Sequence, residues 1–323
     1  GTLRVAFLSA MSLELLSTLS VAIVAVTIGL RVVEGNMDLT SSLFILILAP
    51  EAYLPVRQVG VHFHDSANGV AAAEEAFAEI EAGDAVTAGN VRRTRPAPDL
   101  GTAAIRFEEV GATWPGSEHP ALRGLSFDWS PGEVVAIAGA SGGGKSTALA
   151  VLLGFVTPDR GRVTVTPAGA EPVDLTEIDL ESWRRQLAWV GQHPGMLDGT
   201  LADTIALGTT TEVSDEVLRT ALDAAGGRDL ALHRQVGEGG TGLSSGERRR
   251  VALARALVRL EHEAGRLLVL DEPTAGMDAD TEARVIDTLR ASGVGAIVVT
   301  HRPALLAAAD RVIRLTAATE DAD

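Results

Sequence analysis

The chain begins with two long apolar runs that are separated by a polar turn. From Val5 to Leu30 the only charged residue is Glu14, and a helix of this length can cross a hydrocarbon core of about 30 Å. The polar turn, residues 31–40, precedes a shorter run, residues 41–56, whose only charged residue is Glu51. This pattern predicts a membrane-spanning helical hairpin. For the second run, a buried helix of a soluble domain is the alternative.

Apolar residues recur at helical spacing from Val56 to Ile80, which predicts that the second helix continues beyond the membrane. We therefore assign residues 1–82 to a membrane unit with this helical extension. Residues 83–103 contain two prolines and three arginines, a composition that predicts a linker. A second domain then spans residues 104–317, and residues 318–323 form an acidic tail.

In the second domain, a buried strand, a glycine-rich loop and a helix follow one another. Residues 134–138 are all apolar, which is typical of a strand covered on both faces of a parallel sheet, and residues 146–155 predict a helix. The loop from Gly139 to Thr147 fits the phosphate-binding pattern G-x-x-x-x-G-K-[ST]. Such a loop directs backbone N–H groups and the positive end of the helix dipole at a phosphate. A chance glycine-rich turn is the alternative.

Lys145, in this loop, is the only lysine in the chain. Its compact ammonium can reach a phosphate oxygen past a ring of N–H groups, whereas the guanidinium of arginine is a broad planar fork. We therefore predict an α/β fold whose loop binds the phosphates of a nucleotide. The phosphate-binding residues predicted from the loop are Gly139, Ser141, Gly142, Gly143, Gly144, Lys145, Ser146 and Thr147.

The segment from Arg266 to Glu272 is an apolar strand that ends in two acids. Because a carboxylate at this place can lie beside the loop, Asp271 is predicted to hold Mg²⁺ together with Ser146. Glu272 is predicted to face the terminal phosphate and to act as general base for the attacking water. Two acids at a strand end also occur as a helix cap, which is the alternative for this pair taken alone.

Between the loop and the acidic strand, Leu243-Ser-Ser-Gly-Glu247 precedes a basic helix, residues 248–260. This segment resembles the L-S-G-G-Q signature of the ATP-binding cassette (ABC) family. The resemblance implies ATP and Mg²⁺ as cofactors, and it implies that Ser244 and Gly246 close over the ATP of a second chain. Ser245 and Glu247 differ from the usual signature, so an added Cβ and an added negative charge are expected to weaken that contact.

The same resemblance assigns roles to further residues. Gln192 would contact Mg²⁺ and the terminal phosphate, and His301 would be the switch histidine. Asp278 resembles the aspartate of the D-loop, and Trp114 resembles the aromatic residue that stacks on adenine. The resemblance therefore implies an ATPase whose catalytic residues are Glu272, His301 and Gln192.

Membrane spans and a cassette on one chain resemble an ABC exporter half-transporter, so the predicted fold is the last two spans of an exporter followed by an α/β nucleotide-binding domain. Residues 13–26 and 48–57 further resemble those spans in CydD-type subunits, which export cysteine and glutathione and support cytochrome bd assembly. That resemblance implies a multi-pass protein of the bacterial inner membrane with a cytoplasmic cassette. It also implies a small thiol substrate and a CydC-type partner in a heterodimer.

Several alternatives bear on this interpretation. CydD-type subunits carry more spans than the two predicted here, so we expect an amino-terminal truncation. The alternative to a thiol exporter is a multidrug or lipid exporter of the same architecture.

Composition and motif order exclude other classes of protein and site. The net charge of −16 argues against a nucleic-acid partner, and there is no cysteine to form a disulfide or a thiolate metal site. Chromosome-maintenance ATPases separate the loop from the acidic strand by a long coiled coil, whereas both lie in one domain here, which argues against that DNA-binding class. A regulatory module that does not hydrolyse ATP would be expected to lack Glu272 or His301, and this chain has both.

The acids and histidines of the membrane unit are candidate functional residues, and each of the two acids has two possible roles. Glu14 and Glu51 are acids in apolar runs, so they either line a polar pathway or lie at the membrane interface. His62 and His64 fall on different faces of a helix, which does not favour a shared metal, and no local feature indicates haem.

Overall fold

The structure is a computed structural model that describes residues 2–52, 54–55, 69–70, 72–74, 76–77 and 93–315. The chain divides into two compact units, residues 1–88 and 89–323. Most of the predicted helical extension lies outside the described residues, as do His62, His64 and the predicted acidic tail.

The first unit contains two apolar helices, α1 (Thr2–Val33) and α2 (Leu39–Ala52). α1 is followed by a turn in which Gly35 adopts a φ of 74°, a conformation that glycine reaches without steric cost. Asp38 stands at the start of α2, and its carboxylate accepts a hydrogen bond from the Ser41 N–H at 2.9 Å. The predicted turn between the two apolar runs is therefore present.

The two helices differ in length. Within α1, the segment Glu14–Val33 is long and apolar enough to cross a membrane, and it is the only such segment among the described residues. Its large apolar side chains, such as Leu15 and Leu30, are exposed, as a lipid-facing helix requires. α2 is shorter than a typical span, so the structure supports one spanning helix, and the second span of the hairpin stays a proposal.

The second unit is an α/β domain. Its strands are β1 (Ala104–Ala112), β2 (Leu122–Trp129), β3 (Val134–Gly139), β4 (Arg160–Thr166), β5 (Val173–Asp174), β6 (Leu187–Val190), β7 (Gly199–Thr200), β8 (Gln235–Val236), β9 (Leu267–Asp271), β10 (Gly295–Val299) and β11 (Arg311–Leu315). Its α-helices are α3 (Lys145–Leu152), α4 (Leu180–Arg185), α5 (Leu201–Ala206), α6 (Asp215–Ala224), α7 (Ser245–His262), α8 (Ala279–Ala291) and α9 (Pro303–Ala308).

The strands form an antiparallel sheet of order β2-β1-β4-β5, a parallel sheet of order β11-β3-β10-β9-β6 and the two-stranded ribbon β7-β8. In the parallel sheet, Val299 of β10 is in register with Ile137 of β3 on one side and with Asp271 of β9 on the other. The carboxyl ends of these three strands therefore meet at one edge of the sheet. The segments that follow them are brought together there.

The parallel sheet is covered on both faces. Along β9, Leu267 and Val269 belong to one hydrophobic cluster, while Leu268 and Leu270 belong to another on the opposite face. All four side chains are fully buried. Burial on both faces explains why these strands are continuous apolar runs in the sequence.

The last part of the predicted linker packs on the second unit. Leu100 and Ala103 are fully buried, and the Leu100 N–H donates a hydrogen bond to Oε1 of Gln186 at 2.8 Å. The Ala97 N–H donates to Oγ of Ser182 at 3.0 Å. The compact domain therefore includes residues that precede β1.

Candidate nucleotide-binding and catalytic site

A cavity of about 600 Å³ opens at the edge where β3, β9 and β10 end. Its lining comes from the loop after β3, from the ends of β9 and β10 and from α7. The lining residues are Ala121, Gly139, Ser141, Gly142, Gly144, Lys145, Ser146, Thr147, Gln192, Arg249, Asp271, Glu272, Ala275, Val299 and His301. Most of the residues predicted from separate parts of the sequence therefore share one cavity.

The loop can follow its path only because glycine occupies two tight positions. Gly144 has a φ of 84°, and a Cβ there would lie 2.4 Å from the carbonyl oxygen of Ala121. A Cβ on Gly139 would lie 2.6 Å from the carbonyl oxygen of Leu315. Both distances are far below van der Waals contact, so the backbone itself lines the cavity and can approach a bound anion closely.

Helix α3 begins at the end of this loop, at Lys145. Its N-cap residue, Gly144, offers no side-chain hydrogen bond, so backbone N–H groups of the first turn stay directed at the cavity. Nζ of Lys145 lies over the loop and donates hydrogen bonds to the carbonyl oxygens of Gly139, at 3.0 Å, and Ala140, at 2.6 Å. A positive charge and several N–H donors thus converge where a phosphate would bind.

Asp271 and Ser146 meet across the sheet edge. Oγ of Ser146 donates a hydrogen bond to Oδ2 of Asp271 at 3.1 Å. Burial raises the pKa of Asp271, while the bond from Ser146 and the positive charges of Lys145 and Arg249 act in the opposite direction. A hydroxyl and a carboxylate facing a phosphate site are the hard oxygen ligands that Mg²⁺ prefers, so these residues fit that ion.

Glu272 and His301 form a pair beside Asp271, at the same edge of the sheet. Oε1 of Glu272 lies 2.7 Å from Nδ1 of His301, and Oε2 of Glu272 is buried without a hydrogen-bond partner. Glu272 adopts a φ of 50°, unusual for a non-glycine residue, while its N–H donates to the carbonyl oxygen of Val299 at 2.9 Å. The backbone therefore holds the carboxylate at the cavity, and an unpartnered buried oxygen there can accept a proton from water.

Trp114 is held at the carboxyl-terminal end of the phosphate loop. Its Nε1 donates a hydrogen bond to Oγ1 of Thr147 at 3.1 Å, and about half of the residue is exposed. The hydrogen bond holds the indole in place while a large part of the side chain stays exposed. An aromatic face beside a phosphate loop can stack on a nucleobase.

Five predicted site residues do not line the cavity. Trp114 and Gly143 are neighbours of residues that do, and the other three, Ser244, Gly246 and Asp278, lie at the starts of helices. Ser244 caps α7, because its Oγ accepts a hydrogen bond from the Glu247 N–H at 3.2 Å, and Gly246 follows within the first turn of that helix. Asp278 caps α8, where its Oδ1 accepts from the Thr281 N–H at 2.9 Å. These residues lie at helix N-termini, apart from the phosphate loop of the same chain.

Glu247, which was expected to weaken the signature contact by an added negative charge, has hydrogen-bond partners within its own chain. Its Oε1 accepts a hydrogen bond from Nη1 of Arg234 at 2.6 Å, and its Oε2 accepts from the Ser244 N–H at 2.7 Å. Burial alone would raise the pKa of Glu247, but these hydrogen bonds and the charge of Arg234 outweigh it and lower the pKa to about 2. The carboxylate is therefore ionised and paired within its own chain.

Arg249 lines the cavity although the sequence did not single it out. It is the middle residue of three consecutive arginines, Arg248 to Arg250, and residue type alone does not distinguish them. The direction of each side chain on α7 separates them: Arg248 donates to the Gly239 carbonyl and Arg250 pairs with Asp229. Helical phase was the one signal that could have identified Arg249.

Comparisons with known proteins agree with this geometry. The family model described as ABC transporter matches residues 122–275. The glutathione/L-cysteine transport system ATP-binding/permease protein CydD of Haemophilus influenzae is 34% identical over 315 residues, which cover 93% of this chain and 51% of that protein. The corresponding CydC protein of Bacillus subtilis is 34% identical over 304 residues, 90% of this chain and 49% of that protein.

Among solved structures, a bacterial Atm1-family ABC exporter with ATP bound is similar to this chain with a TM-score of 0.63 and 26% sequence identity. The similarity covers 96% of this chain and 54% of the exporter chain. The chain thus spans about half the length of the relatives that it matches.

Proposed function

Because this chain contains an ABC transporter ATP-binding domain, we propose that it hydrolyses ATP to drive export of small thiols, cysteine or glutathione, across the bacterial inner membrane. It would act as one half of a heterodimer with a second, CydC-type half-transporter, and its export would support cytochrome bd assembly. The observation that carries this proposal is the convergence of Lys145, Asp271, Glu272 and His301 on one cavity.

In this proposal each residue of the cavity has a defined task. The glycine loop and Lys145 bind the phosphates, and Trp114 stacks on the adenine. Ser146, Asp271 and Gln192 hold Mg²⁺, which supplies positive charge to the phosphate oxygens. Glu272 accepts the proton of the attacking water through Oε2, while His301 holds Oε1 and so fixes the direction of the carboxylate.

A second chain is part of the proposal because Ser244 and Gly246 lie outside the cavity of their own chain. They are exposed or half-buried at the N-terminus of α7, where backbone N–H groups are available to a phosphate. The signature segment of each chain would therefore complete the site of its partner. Asp278, exposed at the start of α8, is proposed to contact the partner at the same interface.

The membrane part of the proposal rests on the apolar helices. α1 would span the bilayer and α2 would form the second span, with the ATP-binding domain on the cytoplasmic side, where ATP is present. Glu14 and Glu51 are exposed, and we propose that at least one lines the thiol pathway.

The proposal is tested by transport. The complete subunit and its partner, reconstituted in inverted vesicles, should accumulate cysteine or glutathione when supplied with ATP and Mg²⁺. Vesicles carrying Lys145→Ala should accumulate neither thiol. Transport of lipids or hydrophobic drugs without thiol uptake would contradict the substrate assignment and favour a multidrug or lipid exporter.

A further inference from the structure

The guanidinium of Arg249 joins two backbone segments at the nucleotide cavity. Nη1 donates a hydrogen bond to the carbonyl oxygen of Ala275 at 2.8 Å, and Nη2 donates to that of Gln192 at 3.4 Å. Nε is buried without a hydrogen-bond partner. Guanidinium has five N–H donors in a rigid fork, so these two bonds leave N–H groups of the same plane for a further acceptor.

The charge of Arg249 matters because the cavity also contains two acids. Among the described residues that line it, Lys145 and Arg249 carry the permanent positive charges, and Asp271 and Glu272 carry the carboxyl groups. A triphosphate keeps a net negative charge even when Mg²⁺ is bound. One lysine next to two carboxyl groups balances that charge poorly, and the guanidinium of Arg249 adds a second positive charge to the cavity.

The position of Arg249 identifies the end of the nucleotide that it would meet. Trp114, tied to Thr147, marks the base end of the site. Asp271, tied to Ser146, marks the end where these two residues would hold Mg²⁺, which would supply positive charge to the terminal phosphates of ATP. Arg249 lies on this side of the cavity, since it donates to the carbonyl oxygen of Ala275, whose own N–H donates to the carbonyl oxygen of Glu272, the residue after Asp271, at 3.2 Å.

We propose that Arg249 binds the terminal-phosphate end of the nucleotide held by its own chain and makes the site select ATP over ADP. This inference rests on the proposed function, because it takes a nucleotide as the occupant of the cavity. A guanidinium beside the terminal phosphate forms charge-assisted hydrogen bonds that ADP, which lacks this phosphate, cannot accept. The residue that provides this selectivity therefore lies on α7 of the chain that holds the nucleotide, and it can act before a partner chain is in contact.

A purely structural role for Arg249 would change ATP and ADP affinity in a different way. If the side chain only held the backbone of Gln192 and Ala275 in place, its loss would weaken ATP and ADP binding by the same factor. The ratio of the two affinities thus separates binding of the terminal phosphate from support of the loops.

The experiment measures ATP and ADP affinity of the full chain in detergent by calorimetry, with EDTA present so that no hydrolysis occurs. Arg249→Gln should weaken ATP binding about tenfold and ADP binding less than about twofold. Arg249→Lys, which keeps the charge but not the fork, should lose less ATP affinity than the glutamine variant. Arg250→Gln is the matched control, since Arg250 pairs with Asp229 on the same helix, and both affinities should be unchanged.

Equal losses of ATP and ADP affinity in Arg249→Gln, or no loss at all, would overturn the inference while leaving the proposed function intact. A wild-type chain that bound neither nucleotide would overturn both. The thermal unfolding midpoint of each variant is measured in parallel. If Arg249→Gln does not fold, Arg249→Lys decides the question through the same affinity ratio, with a ratio identical to that of the wild type counting against the inference.

Discussion

Nδ1 of His301 lies 2.7 Å from Oε1 of Glu272, and this contact joins the ends of the neighbouring strands β10 and β9. The two side chains differ in environment, since that of Glu272 is largely buried and that of His301 is mostly exposed. The imidazole therefore engages one carboxylate oxygen from the solvent side. The other oxygen, Oε2, is left buried and unpartnered, and the pair as a whole presents a directed base rather than a freely rotating carboxylate.

Lys145 and Glu272 should have separable effects on binding and turnover. Lys145→Ala removes the ammonium at the phosphate loop, so ATP affinity should fall by at least about tenfold. Glu272→Gln preserves the shape of the side chain and removes the base, so ATP should still bind while hydrolysis falls by about 10²–10⁴-fold. Calorimetry and phosphate release from the assembled transporter give the two quantities. Equal loss of ATP binding in the two variants would contradict the assignment.

The contact between His301 and Glu272 predicts that their mutations are not additive. His301→Ala should reduce hydrolysis, but in the presence of Glu272→Gln it should have little further effect, because it acts by directing a base that is already lost. The comparison is a double-mutant cycle on the rate of phosphate release. His233→Ala is the control, since His233 pairs with Asp215 on the surface, 3.0 Å away, and its loss should not change the rate. Fully additive losses would show that the two residues act independently.

Part of this site could be predicted from local pattern alone. A strand that is buried on both faces must be apolar throughout, and the phosphate loop needs glycine where a Cβ would touch backbone, so β3, β9 and the loop are visible in the sequence. The residues that follow parallel strands then meet at one edge. Glu272 and His301, 29 positions apart, come together for this reason.

Other features depend on side-chain directions that residue type does not specify. The sequence shows an added negative charge at Glu247 but not its partner, because Arg234 lies 13 positions earlier, before the ribbon strand β8 and the turn that follow it. Arg249 was indistinguishable from its two neighbours until the phase of α7 was known. The position of Arg249 therefore follows from helical phase, whereas the pairing of Arg234 with Glu247 follows from tertiary packing, which local periodicity does not report.

A buried polar network that joins the segments after β9 and β10 should stabilise the domain. Oγ1 of Thr274 donates a hydrogen bond to Oε1 of Glu282 at 2.9 Å, and Nη1 of Arg302 lies 3.6 Å from Oε2 of the same carboxylate. Glu282→Ala leaves a buried hydroxyl and a half-buried guanidinium without their acceptor, so the free energy of unfolding should fall by about 1–3 kcal/mol. Urea unfolding followed by tryptophan fluorescence measures the change.

The control for this prediction is an exposed pair of the same chemistry. Glu181 bonds to Arg185 one helical turn away, and both side chains are largely exposed. Glu181→Ala should therefore change the unfolding free energy by less than about 0.5 kcal/mol. Similar losses in Glu181→Ala and Glu282→Ala would mean that burial of the network adds no stability.

Glu247 should make the stability of the domain decrease with pH in the acidic range. Its pKa is lowered from 4.5 to about 2 in the folded state, so the carboxylate stabilises the fold fully above pH 4.5, and this contribution is lost as the pH falls toward 2. The difference in thermal unfolding midpoint between wild type and Glu247→Gln should be constant at neutral pH and should narrow steadily across that window. Arg234→Gln removes the pairing cation and so raises the folded-state pKa of Glu247 toward 4.5, which should make the loss of stability smaller and complete at a higher pH than in the wild type. A difference between wild type and Glu247→Gln that stayed the same from neutral pH down to pH 2 would show that ionisation of Glu247 does not contribute to the stability of the fold.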